Sequence, residues 1–596
     1  MNLYPLVKYY EVLAEEGKVT KPGWCSAKVS AALDISTDGE LLGVIPLKKE
    51  EQRGKKTVEV PQMIKVPEQV TRSSGISPNF LCDNAGNMLG FDAKGNPERA
   101  KDCFKAAREM HLQILADVQS VEAKAVTAFF QKWSPDMAKQ HEVTAAHYEE
   151  LCDAPNLIFS VEGQYVQDSP EVKEAWEQYR SESSQEKDGI CLVTGKRTKI
   201  ARIHGKIKGV PGAQSVGASL IGFNESSFQS YEKEQSYNAP VGTYAMYAYT
   251  TALNYLIRMK NSKSQIGDTT VVYWSEDGDE NYQAIYSGAM EPTADNCEII
   301  DGVFKNLEKD WAVDTETVLS GISPEQRFYI LGLSPNAARL AVRFYYEDSF
   351  GNLLRHLKEH YERMEIVRPS ADNVEYLGVW RMLQEIVNKK SKDKKPHDNI
   401  AGAVYRAILS GGRYPESLYQ AVIQRIRLEQ DQPDAGIYKI TRGRAAIIKA
   451  YLIRNTNLTE EEEITVGLNE NSRNVPYTLG RIFAVLENIQ EDANPGINAT
   501  IKDRYFNAAC ATPAHVFPLL FKLKNSHTRK LAGKGNKGAE VNFEKLLCQL
   551  QGCIPVDDAQ QFAYPKRLTL EEQGMFILGY YHQTQKRYEK KTKEEA

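Results

Sequence analysis

Paired cysteine motifs, long apolar runs and a strong excess of either charge are all missing from this 596-residue chain. Its nine cysteines (Cys25, Cys82, Cys103, Cys152, Cys191, Cys297, Cys510, Cys548 and Cys553) are an odd number, spread singly. They read as reduced thiols, not as a disulfide framework or a zinc site. No segment approaches the roughly 18 consecutive apolar residues of a membrane-spanning helix. The start, MNLYPLVKYYEVLAEEG, lacks the basic residues, apolar run and cleavage site of a signal peptide and reads as an amphipathic helix. The expected location is therefore cytoplasmic. With 74 Lys and Arg against 79 Asp and Glu, the formal charge is -5. Attraction to nucleic acid or to an anionic membrane would have to come from local clustering.

Catalytic patterns are missing too. VTGKRTK has Gly-Lys but lacks the upstream glycine and the hydroxyl residue after the lysine that a phosphate loop needs for its magnesium. GAQSVGAS does not have the spacing of a dinucleotide turn. HLKEH at 356–360 reads as a solvated helix face, and CQLQGC at 548–553 is a cysteine pair without partners. SEDGDE at 275–280 lacks the alternating ligands and final glutamate of a calcium loop. The chain is read as carrying no catalytic residues, no metal ligands and no cofactor.

What is present changes along the chain. KVSAALDI, the turn STDG, ELLGVIPL and VEVPQMIKV alternate apolar and polar residues and predict strands. From Pro97 to about 150 the spacing is helical. Strand and helix signals then mix to about 365, with GICLVTG, SVGASLIGFN, TTVVYWSE, RFYILGL and ARLAVRFYYE read as strands and 241–260 and 348–363 as helices. Beyond 365, segments such as EYLGVWRMLQEIVNKK, TRGRAAIIKAYLIRN and TLEEQGMFILGYYHQTQKRY repeat apolar residues at three- and four-residue steps. The fold class is α+β: a strand-containing amino-terminal lobe, then an all-helical half ending in a bundle. Polar bridges at 389–399 and 455–463 suggest a mixed lobe over 1–365, a helical connecting region over 366–460 and a bundle over 461–596.

Two acid-free stretches stand out from this background. Between Gly189 and Asn224 there is no carboxylate, while Lys196, Arg197, Lys199, Arg202, Lys206 and Lys208 gather with His204. Phosphate neutralisation asks for unmixed positive charge, and glycines let backbone amides come close. Gln214, Ser215 and Asn224 add uncharged hydrogen-bonding groups. A second run, Arg504 to Ala539, carries Arg504, Lys522, Lys524, Arg529 and Lys530 on predicted helices, where a backbone-tracking face and an ordinary solvated face are equally good readings. A third candidate is RSSGISPNFLCDN, 72–84, a loop of small hydrogen-bonding residues that suits turn chemistry as well as recognition.

Several long blocks, in order along nearly the whole chain, carry a resemblance: RSSGISPNFLCDNAGNMLG, CLVTGKRTKIARIHGKIKGVPGAQSVGASLIGFN, SYNAPVGTYAMYAYTTALNYLI, FYILGLSPNAARLAVRFYYED and EEQGMFILGYYHQTQ. They resemble the large subunit of the type I-C CRISPR surveillance complex, Cascade. The resemblance implies a protein that is not a nuclease, recognises the short motif flanking a target, helps open the duplex, stabilises the displaced strand and offers a dock to a separate helicase-nuclease. Implied partners are the guide-RNA complex with its backbone, handle-binding and small subunits, target double-stranded DNA and the helicase-nuclease, with phage inhibitor proteins as a further class and no membrane. On this reading Lys28, Arg72, Ser73, Asn79 and Asn84 are candidates for recognising the flanking motif. The basic ribbon would hold DNA near the fork, with Gln214 or Gln235 as a wedge, and the second run would follow the displaced strand. The segment after TEEEE resembles the family's small helical subunit, which arises by internal translation; with no methionine between Met382 and Met575, such a product here needs a non-AUG start. The competing classes are a scaffold subunit without sequence readout and a stand-alone nucleic-acid enzyme.

Overall fold

A computed structural model of the chain describes residues 2–53, 56–70, 75–91, 96–183, 186–293, 295–308, 321–392, 394–459, 463–533, 537–556 and 562–589. It divides into two compact units: an amino-terminal one of 2–205 with 221–252, and a carboxy-terminal one of 206–220 with 253–596. The boundary therefore falls twice in the basic ribbon and once within the helix Thr243–Arg258.

In the amino-terminal unit, alternating sequences become β1 (Trp24–Val29), β2 (Ala31–Ile35), β3 (Leu41–Pro46), β4 (Lys48–Arg53) and β5 (Lys56–Pro67). β6 (Leu157–Val161) and β7 (Gln164–Tyr165) follow the helices Pro97–Ile114 and Val121–Lys132, each capped by a side chain the sequence supplies, Asn96 and Ser120. Two sheets result, ordered β1-β5-β4 and β3-β2-β6-β7. β2 and β6 run parallel, Ala31 opposite Leu157 through Ile35 opposite Val161, so the intervening helices form a crossover. Leu33, Phe80, Phe129, Phe130 and Phe159 share one core. A smaller cluster of Val29, Ala32, Leu47, Val66 and Ile158 joins residues of both sheets. The hairpin β8 (Asp188–Ile190) with β9 (Arg197–Lys199) completes the strands.

The carboxy-terminal unit begins with an antiparallel sheet, β10 (Lys263–Ile266), β11 (Thr269–Ser275), β12 (Arg327–Asn336) and β13 (Arg339–Ser349), paired in that order. Thereafter every regular element among the described residues is helical, so the α+β reading holds. One buried core runs from Ile266 to Tyr581, and the sequence boundaries at 365 and 460 both lie within this unit. Tyr419 donates to the Leu570 carbonyl at 2.7 Å and Tyr581 to that of Val367 at 2.8 Å, tying the last helix, Leu570–Tyr588, to the region before 460.

Four local expectations are corrected. HLKEH is not a solvated face: His360 is fully buried with Nδ1 2.7 Å from the Tyr414 hydroxyl, and His356 Nδ1 lies 2.7 Å from the Leu409 carbonyl. SVGASLIGFN forms no strand: Gly217 holds φ of +96°, and the segment makes only isolated bridges, Ala218 with Ile207 and Ser219 with Arg339. GICLVTG is extended only to Ile190, then turns. EYLGVWRMLQEIVNKK is helical only over Val379–Gln384, and the Asn388 side chain then accepts from the Lys390 amide in a turn.

Candidate nucleic-acid interface

The ribbon's first arm belongs to the amino-terminal unit. β8 and β9 pair Ile190 with Arg197 and Asp188 with Lys199, which puts all four side chains on one face. The turn between them closes through Cys191 N to Lys196 O at 2.9 Å and Gly195 N to Cys191 O at 2.8 Å. Burial raises the pKa of the Cys191 thiol, but the Thr194 hydroxyl and the amides of Gly242, Thr194 and Val193 outweigh it, leaving the thiol below its ordinary value. Lys196, Arg197, Lys199 and Arg202 are exposed. The acids that approach them flank the ribbon: Asp188 lies 3.6 Å from Lys199 and Glu234 3.8 Å from Arg202. Exposed pairs of this length contribute little. His204 departs from the reading that grouped it with the cations. It is 3% exposed with Nδ1 2.6 Å from the Tyr249 hydroxyl, and burial lowers its pKa to about 4, so it is neutral at pH 7.

The second arm belongs to the carboxy-terminal unit. Ile207 and Ala218 exchange amide bonds at 2.8 and 2.9 Å, and Ser219 bonds Ala338 and Leu340, pinning the arm beside the start of β13. Asn254 clamps it from the helix, accepting from the Lys208 amide at 2.8 Å and donating to the Lys206 carbonyl at 3.0 Å. Lys206 and Lys208 stay exposed, the first bonded to the neutral Ser219 hydroxyl at 2.8 Å, so its charge is uncompensated there. Gln214 and Ser215 are exposed at the turn closed by Gly217 N to Gln214 O. Asn224 is exposed in the amino-terminal unit. Gln235, in the same unit, has φ of +46° and a buried, unpartnered Oε1. The two wedge candidates therefore belong to different units.

Of the flanking-motif candidates, Arg72 and Ser73 lie outside the described residues. Asn79 and Asn84 serve the turn. Asp83, 1% exposed, accepts from both their amides at 2.8 Å. The Asn79 side chain accepts from Val70 N at 2.9 Å, and Asn84 caps the helix Ala85–Met88. Lys28 is exposed on β1, opposite Met63, while Lys65 is exposed opposite Ser26. Ser26, Lys28, Met63 and Lys65 thus share one solvent face of the sheet. Lys65 was missed in the sequence, although the alternation in VEVPQMIKV carried the signal.

In the second run, Arg504 is exposed on Ile501–Ala511, and Lys522, Arg529 and Lys530 on Pro513–Gly533. Lys522 and Arg529 are seven residues apart and so share a helix face. Lys524 is half-buried and ion-paired with Glu544 at 2.6 Å, which removes it from that set. Among the described residues, no group of three His, Cys, Asp or Glu side chains could hold a metal ion, and no helix is long and apolar enough to cross a membrane.

The fold defines a two-unit α+β protein that carries exposed cations on two acid-free segments. Residues 6–588 match the model of a CRISPR-associated protein family, Cas_Csd1, and the chain belongs to that family. No curated protein matches it.

Proposed function

We propose that this protein is the non-catalytic large subunit of a type I-C Cascade complex. It recognises the motif flanking a target, helps open the duplex, holds the separated strands and recruits a helicase-nuclease in the cytoplasm. The observation that carries the reading is the ribbon: six exposed cations over 196–208, with no carboxylate between 189 and 224, in a CRISPR-associated chain. Such a segment neutralises phosphates without internal compensation and gives affinity without sequence information. Sequence readout then falls to the amino-terminal unit, where Lys28 and Lys65 flank a solvent-facing sheet surface. R-loop formation exchanges one duplex for another at near balance, so modest protein contacts to the separated strands decide whether it proceeds. The exposed cations Arg504, Lys522, Arg529 and Lys530 suit the displaced strand, and 461–596 is the part that corresponds to a small helical subunit.

The test is charge reversal. The triple variant combining Lys196→Glu, Arg197→Glu and Lys199→Glu should weaken duplex binding at least about 10-fold. It should also flatten the slope of log affinity on log salt by roughly 0.9 per lost phosphate contact. Unchanged affinity and slope would instead support a scaffold that holds partner subunits only. Turnover of labelled DNA by the purified chain with magnesium and ATP would overturn the non-catalytic assignment.

A further inference from the structure

A cavity of about 720 Å³ opens in the carboxy-terminal unit, walled by the 369–385 segment, the 431–443 segment, Lys502 on the helix Ile501–Ala511 and the end of the last helix. Its size lies within the roughly 300–1,000 Å³ of small-molecule sites. The charged groups in its wall are already matched. Arg442 Nη1 and Arg381 Nη2 both donate to Asp372, at 3.0 and 2.9 Å. Lys502 pairs with Asp431 at 2.6 Å, and Glu385 accepts from the Thr441 hydroxyl at 2.6 Å. Three cations and three carboxylates cancel, so nothing here draws in a phosphate or a metal ion.

The remaining chemistry is aromatic and neutral. Tyr580 and Tyr581 are buried in the wall with hydroxyls engaged by Glu487 and Val367. Tyr438 and Tyr588 line the same cavity yet are 46% and 66% exposed. The half-buried Gln585 amide, a donor and an acceptor side by side, also faces this lining. Arg442 is 7% exposed, and its Nε is buried without a partner although its other nitrogens are bonded. Its buried Nε belongs to the packed wall, so the donor and acceptor that a bound molecule meets are those of Gln585.

We propose that this cavity binds a nucleobase, stacked on Tyr438 and Tyr588 with its edge toward the Gln585 amide and its sugar-phosphate left outside. A flat, uncharged heterocycle with donors and acceptors on its rim is the ligand class that such a wall fits. The proposal rests on the nucleic-acid reading above, which makes a single strand the expected source of the base. Stacking on one aromatic side chain is worth about 1–3 kcal/mol per base.

The experiment uses the full chain and a single-stranded oligothymidylate carrying one 2-aminopurine, whose fluorescence falls on stacking. The intact protein should quench it. Tyr588→Ala and Tyr438→Ala should each abolish most of the quenching and weaken binding about 5- to 150-fold, whereas Tyr588→Phe should retain both. Both tyrosines are exposed, so the alanine variants should fold. Reversing the ribbon charges should lower affinity yet leave quenching intact at saturation. Displacement of the probe by free adenosine would support the base site and identify a free nucleoside as a second source. Binding with an unquenched probe, or quenching indifferent to both alanine variants, would overturn the pocket while sparing the nucleic-acid reading. No binding of any oligonucleotide would overturn both.

Discussion

Gly480→Ala should destabilise the carboxy-terminal unit by about 3 kcal/mol or more, although alanine is the better helix former. In an isolated helix the exchange would gain up to about 1 kcal/mol. Here a Cβ at 480 would lie 1.9 Å from the Phe576 carbonyl oxygen and 2.8 Å from Tyr580 N; at 579 it would lie 2.0 Å from the Tyr477 carbonyl oxygen. Every obstructing atom is backbone, so no rotamer change relieves the clash, and the helices Val475–Ala493 and Leu570–Tyr588 must move apart. Separation would also strain the bonds across this crossing: Tyr477 to His582 at 2.9 Å, Arg481 to Gln583 at 3.1 Å and Tyr580 to Glu487 at 2.6 Å. Overpacking of a close-packed interior costs typically about 1–3 kcal/mol, and a backbone clash at this distance belongs at or beyond the upper end. Gly402 provides the control: it lies in the helix Asp398–Leu409 with nothing within 4 Å of its would-be Cβ, so Gly402→Ala should be neutral or stabilising. Denaturant titration of the parent and both variants measures this, and a Gly480→Ala protein as stable as the parent would refute the close-approach account.

These glycines also show where a single sequence stops being informative. GRIF and LGYY look like ordinary helix, and only the partner helix reveals why glycine is required. The helices themselves were legible, because caps such as Asn96 and Thr569 precede periodic apolar runs. The parallel pairing of β2 with β6 was not, since its partners are more than 120 residues apart. The same divide runs through the candidate site. Unmixed charge is a property of the chain, and all six ribbon cations are exposed. The orientation of a polar residue is not: His204 and Asn79 have the right chemistry but are turned inward, spent on Tyr249 and on Val70. The aromatic cavity escaped notice because its walls come from four separate stretches of the chain, none unusual alone.

Mild acid should destabilise the amino-terminal unit more steeply than the carboxy-terminal one. His111 and His204 in the first, and His360 and His582 in the second, are buried. Burial lowers their pKa values to about 4, except for His360 at about 3. Geometry gives the cause. His204, His360 and His582 each set Nδ1 against a tyrosine hydroxyl while Nε2 is buried without a partner. His111 uses Nε2 to accept from the Leu81 amide, so protonation there would break that bond. A folded pKa below the unfolded value near 6.5 means that the unfolded chain binds more protons between about pH 6.5 and 4, so stability falls as pH drops through that window. The two deeply buried histidines of each unit contribute a slope approaching about 3 kcal/mol per pH unit near pH 5; in the carboxy-terminal unit His527, lowered by burial and by Lys530, adds in the same direction, and Glu491, raised by burial, opposes it. In the carboxy-terminal unit Glu291 opposes this. Burial raises its pKa to about 7, so the folded state takes up a proton first and gains stability from pH 7 down to about 4.5, cancelling roughly one histidine. Denaturant titrations from pH 7 to 5, with proton uptake on unfolding read in weakly buffered solution, should show close to two protons for the amino-terminal unit and about one for the other. A pH-independent midpoint over that range would mean that these imidazoles titrate normally in the folded protein.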